Sequence, residues 1–524
     1  MPVQGLDRGI GAPGWDRTSN PCLRRAVLYP LSYRREPGIL TVPKVGRARV
    51  PRPLRRATTI RARLPSPRRM TRAHAMPRAP APARPASRSD AYCAIDFGTS
   101  NSAVAIADAG GTMRLVELEP GYRTMPTAVF YLVEGPETQG PPRAFGRAAI
   151  AAYVDGLDGR LMRSMKSILG SKLAEQTTDV GGGRGVKYLD VIAGYLKHLK
   201  TLAEAQAGAP ISRAVLGRPV YFVDDDPARD AQAQAALASA ARAVGFGELS
   251  FQYEPIAAAF DFERTVQCEQ IVLVADIGGG TSDFSVVRVG PERAPRLERK
   301  DDILASHGVH AAGTDFDRRI ELACMLGEFG YGGYGLSADG TPPREVPSAV
   351  YFDLATWHLI NTVYSPQRMA ELRGMRKFYA EPRHHARLMT LLADRRGHEL
   401  VARAEAAKIA VADGGQTWID LSLVETGLGV ALSEVQALAA IEDDIARIVN
   451  AAQVTVDQAG LKPPQIDALY FTGGSTGLRL LAERIAAAFP SARAVRGDRF
   501  ASVASGLGLH AARCFGRAGG SATA

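Results

Sequence analysis

The sequence predicts an α/β protein built from two halves of similar construction. Two observations carry this. From residue 91 onward, strand-like apolar runs alternate with Ala-rich amphipathic segments, the pattern of sheets covered by helices. In addition, one unusual hairpin occurs twice. AYCAIDFGTSNSAVAIAD at 91–108 places an Asp and a Gly-Thr-Ser-Asn turn between two apolar runs, and IVLVADIGGGTSDFSVVRV at 271–289 repeats the arrangement. The aspartates of the two copies, Asp96 and Asp276, lie 180 residues apart.

Before the first hairpin, residues 1–90 hold 19 Arg and one Lys against three Asp and one Glu. The formal charge of +10 for the whole chain therefore hides a leader of +16 and a body of −6. Stretches such as RVPRPLRRATTIRARLPSPRR and PRAPAPARPASRSD break both helical and strand periods, so this leader is expected to be disordered. Its prolines argue against an amphipathic targeting helix, and it has no apolar stretch for a secretory signal. Translation starting at Met70 or Met76 is the preferred reading of it. Because the basic charge belongs to the leader, no nucleic-acid partner is expected for the body. No run approaches the roughly 18 apolar residues of a membrane span. The cysteines, Cys22, Cys93, Cys268, Cys324 and Cys514, are far apart and lack CxxC spacing, which indicates neither a disulfide framework nor a zinc site and fits a reducing cytoplasm.

Each hairpin turn has a physical reason to hold phosphate. Glycines let the backbone approach an anion, successive N–H groups form a concave donor nest, and hydroxyls add donors. In the first copy these are Gly98, Thr99, Ser100 and Asn101, and in the second Gly278, Gly279, Gly280 and Thr281. Asp96 and Asp276 would repel a phosphate unless a divalent cation lay between, and magnesium is commonly held through one or two carboxylates and its own waters. Alone, either turn reads equally as an ordinary hairpin. A third glycine turn, Gly473-Gly474-Ser475-Thr476, ends the apolar run IDALYF and precedes a predicted helix LRLLAERIAAAF, an arrangement suited to backbone contact with a nucleotide.

Together these stretches resemble the nucleotide-binding domain of the heat-shock 70-kDa (DnaK-like) chaperones, in the actin-like ATPase superfamily. The resemblance also rests on KSILG (166–170), AVLGRPVYF (214–222), YEPIAAAF (253–260), AAGTDFDRRI (311–320) and AEAAKIAVA (404–412), in the family's order. It implies an actin-like ATPase fold, with two lobes, each a mixed central sheet with flanking helices, around a nucleotide cleft. The implied lobes are 91–268 and 269–496, the second with an insertion at about 326–398, and residues 497–524 form a C-terminal helix returning to the first lobe.

At matching positions the resemblance implies ATP or ADP with magnesium as ligands. Asp96 and Asp276 would hold the metal's waters, with Glu254 as a further carboxylate. Lys166 would orient the attacking water, completing with Glu254, Asp276 and Thr281 a set for hydrolysis. The two turns, Asp283 and Gly313 would cradle phosphates, Glu405 and Lys408 would contact the nucleoside, and Gly473, Gly474 and Ser475 would close the site. Pro219 matches the proline that couples nucleotide state to domain motion. Read from the residues alone, Lys166 is equally a solvated helix lysine, and Glu405 and Lys408 at (i, i+3) a surface ion pair. On the adenine side, Ile409, Ala412 and Gly477 replace two arginines and a serine of the family pattern, which removes stacking and cation–π contacts.

The chain ends about ten residues after GLGLHAAR, so no substrate-binding domain is expected. With DLATWH before the adenosine helix, this makes it most like the YegD-type members of the family. The implied function is a chaperone-type ATPase that binds and slowly hydrolyses Mg-ATP as a conformational switch in protein folding or quality control, with client or co-chaperone partners. The alternatives on the same superfamily fold are a small-molecule, sugar-type kinase and an actin-like filament protein. Three further features read as structural. His384 and His385, adjacent on one helix, diverge by about 100° and do not form a metal site, nor do His310 and His358. Asp224, Asp225 and Asp226 read as a helix-capping cluster, and Trp357 reads as packing rather than a peptide anchor.

Overall fold

Two five-strand sheet paths of identical plan underlie the protein. The structure, a computed structural model, describes residues 91–516 apart from 109–110, 135–141, 172, 182, 224–225, 337–341 and 499–500. The leader at 1–90, with its alternative starts, and Asp224 and Asp225 lie outside the described residues.

In the first half, β1 (Tyr92–Phe97), β2 (Asn101–Ala107) and β3 (Met113–Leu115) form an antiparallel meander. β4 (Arg213–Arg218) and β5 (Glu248–Tyr253) continue the sheet from β1 in parallel, giving the order β5-β4-β1-β2-β3. In the second half, β6 (Gln270–Ile277), β7 (Ser282–Val289) and β8 (Ile303–Val309) form the same meander. β9 (Ala468–Thr472) and β10 (Arg493–Arg496) extend it in parallel, in the order β8-β7-β6-β9-β10. The 180-residue offset read from the aspartates is therefore a repeat of topology.

The helices repeat as well. α1 (Tyr188–Ala207) precedes β4, α2 (Pro227–Ala243) joins β4 to β5, and α3 (Glu254–Glu263) follows β5. After α4 (Gly313–Ile320) and α5 (Gly397–Ala410), α6 (Glu434–Gln458) precedes β9, α7 (Arg479–Ala488) joins β9 to β10, and α8 (Ser502–Phe515) follows β10. Their limits have local causes. α1 buries Val191, Ile192, Tyr195, Leu196, Leu199 and Ala203, one apolar stripe, and stops at Gly208, whose φ of 67° an L side chain resists. α2 starts on Asp226, whose Oδ1 accepts from the Arg229 N–H at 3.0 Å, with Pro227 as the first helical residue. α6 begins with a capping box between Ser433 and Gln436. At the third glycine turn, Gly474–Gly477 form a 3-10 turn, and the expected helix follows from Arg479.

α3 and α8 pack on each other between the two sheets. Their shared core takes Ala94 and Val215 from the first sheet, Val272 and Val274 from the second, Ala257 and Phe260 from α3, and Leu507 and Ala511 from α8. A Cβ at Gly506 would lie 1.9 Å from the Ala257 carbonyl oxygen, so the two helices approach as closely as backbones allow. The far end of α3 is fixed by Glu263, which binds the fully buried Arg299 at 2.8 Å.

The segment 326–398 is not an appendage. Val346, Val350, Tyr351, Leu354, Leu388 and Leu391 belong to the same core as Phe284 and Val286 of β7.

Candidate functional site

The two hairpin turns face one cleft of about 430 Å³. Asp96 and Asp276 end the apolar strands β1 and β6, opposite Ala103 and Asp283 respectively. The first turn requires glycine, because a Cβ at Gly98 would sit 2.2 Å from the Asn101 carbonyl oxygen. It is anchored where the Thr127 N–H donates to the Ser100 carbonyl at 2.9 Å and where the Ser102 and Thr127 hydroxyls meet at 2.8 Å.

Two chain segments, Gly313–Thr314 and Gly473–Ser475, lock the second turn. The Gly278 carbonyl accepts from the Ser475 hydroxyl at 2.7 Å and from the Gly313 N–H at 3.3 Å. The Gly279 carbonyl accepts from both the N–H and the hydroxyl of Thr314, at 2.9 and 2.8 Å. Gly473, at φ 86°, lies so close that a Cβ there would be 2.4 Å from the Ile277 carbonyl and 2.6 Å from an Asp276 carboxylate oxygen. These carbonyls turn away into the fold and leave the edge of the turn to face the cleft.

Lys166 reaches the cleft by an irregular route. Strand Gly159–Arg163 ends at Ser164, which has φ 51°, unusual for serine, and a 3-10 turn over Met165–Ile168 follows. Lys166 is 8% exposed, which rules out a solvated helix lysine, and its ammonium pairs with the Glu254 carboxylate at the start of α3.

The charge balance of the cleft is lopsided. Burial, then Glu254, push the Asp96 carboxyl up to about 8, with Asp276 adding to the effect against the opposing pull of Lys166. Burial, then Asp283 and Glu254, push Asp276 up to about 7. Asp283 is also raised by burial, although its Oδ2 accepts from the Thr281 hydroxyl at 2.8 Å. Crowded, under-neutralised carboxylates are a hard-oxygen donor set that suits a divalent cation. Among the described residues no three His, Cys, Asp or Glu side chains converge as an all-protein cage.

The cleft also takes in Tyr221, Phe222 and His307, which were not singled out, and His310, read from the sequence as structural. Tyr221 and Phe222 follow Pro219, itself in the lining, and His307 and His310 flank Gly308 opposite Asp283. The motif AVLGRPVYF was the available signal for the first pair. His310, three residues before Gly313, lies near enough to lower Asp283's proton affinity.

Gly313 starts α4 beside the second turn, whereas Glu405 and Lys408 do not border the cleft. Both are buried, so they are not a surface pair. Lys408 binds Asp317 at 2.6 Å and donates to the Gly313 carbonyl at 3.0 Å. Next to this pair, Glu321 is wholly buried at the start of a π turn, Glu321–Met325, with neither carboxyl oxygen hydrogen-bonded among the described residues. Burial, reinforced by Asp317, raises its proton affinity well above the usual carboxylate range. Ile409 is exposed, and Arg479, two residues past Gly477, pairs with Glu434 at 2.8 Å and Glu483 at 2.9 Å.

A protein-family model described as Hsp70 protein matches residues 179–330. Curated relatives include the "Chaperone protein DnaK" of Burkholderia cenocepacia (strain HI2424) and of Burkholderia orbicola (strain MC0-3). Each is 25% identical over 421 residues, which covers 75% of this chain and 54% of the relative. The chain thus spans about half the length of the curated relatives it matches.

Proposed function

We propose that the chain is an Hsp70-family protein with the mixed α/β architecture of the actin-like ATPases, and that it binds ATP with magnesium and hydrolyses it slowly as a conformational switch. The observation that carries this reading is the pair of Asp-Gly-Thr turns facing one cleft, with Asp96 and Asp276 short of positive charge.

Phosphoryl transfer asks for positioning and charge neutralisation more than for covalent chemistry. In this reading the turns Gly98–Asn101 and Gly278–Thr281 hold the phosphate chain from two sides, the Gly278 N–H closing the second turn onto the Thr281 carbonyl at 3.0 Å rather than donating to phosphate. Asp96 and Asp276 would hold magnesium, supported by Glu254 and Asp283. Magnesium, when bound, neutralises both the phosphates and this carboxylate cluster. Lys166, held by Glu254, orients the attacking water. Glu405 and Lys408 act from behind the nucleoside, Lys408 by holding the Gly313 carbonyl, and Gly473, Gly474 and Ser475 brace the second turn.

Residues 91–268 and 269–496 serve as the two lobes, with α8 returning to the first. Pro219, in the cleft wall, relays nucleotide state to their relative motion. A chaperone role in protein folding or quality control, with client proteins, belongs to the same proposal and is supported by the chaperone relatives; a cytoplasmic location and the YegD-type kinship are proposed with it on the sequence resemblance alone. No helix among the described residues is long and apolar enough to cross a membrane.

The full chain is expected to release phosphate from ATP with no acceptor present. Phosphate transfer that appears only when a sugar is added would replace this reading with a kinase. ATP-dependent growth in light scattering without turnover would replace it with a filament.

A further inference from the structure

Trp357 lies outside the cleft, yet it joins two distant parts of the chain. It is 6% exposed, and its ring packs against Tyr153 at 5.0 Å and against His398, near edge-on, at 5.1 Å. The Arg163 guanidinium sits 4.8 Å from the indole centroid. Tyr153 and His398 also meet edge to face at 5.5 Å, and Ile360 and Val401 close the cluster against Ile150 and Leu161. The Asn361 amide donates to the Tyr153 carbonyl at 3.5 Å. One side of this contact is the 146–163 region of the first half, and the other is the 357–401 region of the second.

Arg163 is the last residue of strand Gly159–Arg163 and stands three residues before Lys166. Between them lie only Ser164, in the left-handed conformation, and the start of the 3-10 turn. A guanidinium over an indole away from water is a strong attachment. Burial pushes the neighbouring His398 down to about 4, so a neutral imidazole, not a second cation, shares the pocket with Arg163.

We propose that Trp357 is a positioning residue for Lys166: its indole clamps Arg163, and the 326–398 segment thereby sets the left-handed turn that delivers the ammonium to Glu254. This rests on the proposed role of Lys166 at the nucleotide phosphates. Phosphoryl transfer depends on placement, and a shift of about 1 Å can cost on the order of 100-fold in rate. Undocking of the segment would therefore idle the site without touching the nucleotide.

The test compares the full-length wild type with Trp357→Ala, Trp357→Phe and Tyr153→Leu, using steady-state ATP hydrolysis and amide hydrogen exchange over residues 159–168. Trp357→Ala is expected to lower kcat about tenfold or more while KM for ATP stays within about twofold, the signature of a lost transition-state contact. Its amides at 159–168 should lose protection. Trp357→Phe should keep most of both, and adding Tyr153→Leu to Trp357→Ala should cost little more, because the two side chains act through one contact. A folded Trp357→Ala that retains wild-type kcat and protection would overturn the inference. Should that variant fail to fold, Tyr153→Leu decides: it is expected to lower kcat and protection at 159–168, and wild-type values of both overturn the inference. If the wild type neither binds nor hydrolyses ATP, the proposed function fails. The exchange comparison then still decides whether Trp357 holds the turn.

Discussion

Asp96, Glu254, Asp276 and Asp283 share one nearby ammonium, that of Lys166, and the residue-scale behaviour of the protein follows from that imbalance. With Asp96 raised to about 8 and Asp276 to about 7, the native cleft holds protons that unfolded carboxylates release near pH 4. The sign is therefore fixed: stability from these protons is present in acid and is lost as pH rises through the folded values. The ligand-free chain should melt at falling temperature between about pH 5 and pH 8. Asp276→Asn should flatten that slope and melt about 2 °C or more above the wild type near pH 8, while abolishing the proposed hydrolysis. Parallel melting curves for the two proteins would contradict this account of the cleft. A second residue-scale expectation concerns Lys408. Its partner Asp317 is 2% exposed and lies next to Glu321, which has no hydrogen-bond partner among the described residues, so Lys408→Met would leave the buried Asp317 without its cation. Chemical denaturation should show a loss of about 3 kcal/mol or more, and a loss below about 1 kcal/mol would mean that the pair is not what holds Asp317.

At the scale of elements, the tightest constraint is the crossing of α3 and α8, which joins the two sheets. Gly506→Ala would drive a methyl group into the Ala257 carbonyl and should destabilise the fold by about 1–3 kcal/mol, as overpacking does. Wild-type stability in that variant would show that the helices can slide apart freely. The regular elements were legible in the sequence because their signals are local. β1 and, from Ile271 on, β6 are apolar runs interrupted only by their aspartates, and Asp226-Pro227 marks the start of α2 with a cap and a first-turn proline. The irregular ones were not. Nothing in RLMRSM announces that Ser164 turns left-handed, because the surrounding contacts, not the residue's own preference, impose that conformation. The 3-10 turn at Gly474–Gly477 and the π turn at Glu321–Met325 similarly answer to tertiary packing.

For the whole molecule, the repeated hairpin disclosed the repeated topology, since an Asp at the end of a buried strand is conspicuous and its spacing can be measured. That the two turns share one cleft was foreshadowed for the same reason. The surroundings of Lys408 were not: which acid binds it depends on how α4 and α5 face each other, and sequence spacing carries no information about that. The 326–398 segment illustrates the same limit, because its apolar residues complete the core of the second half and, through Trp357, reach the first. The central claim is that the two halves together hold a magnesium-bound nucleoside triphosphate between their turns. Calorimetric titration of the full chain with ATP, in magnesium and again in chelator, tests it most directly. Binding should be at least about tenfold tighter with magnesium, equivalent to about 1.4 kcal/mol, and Asp276→Asn should erase the difference. Equal affinity in magnesium and chelator, or no binding in either, would contradict the claim.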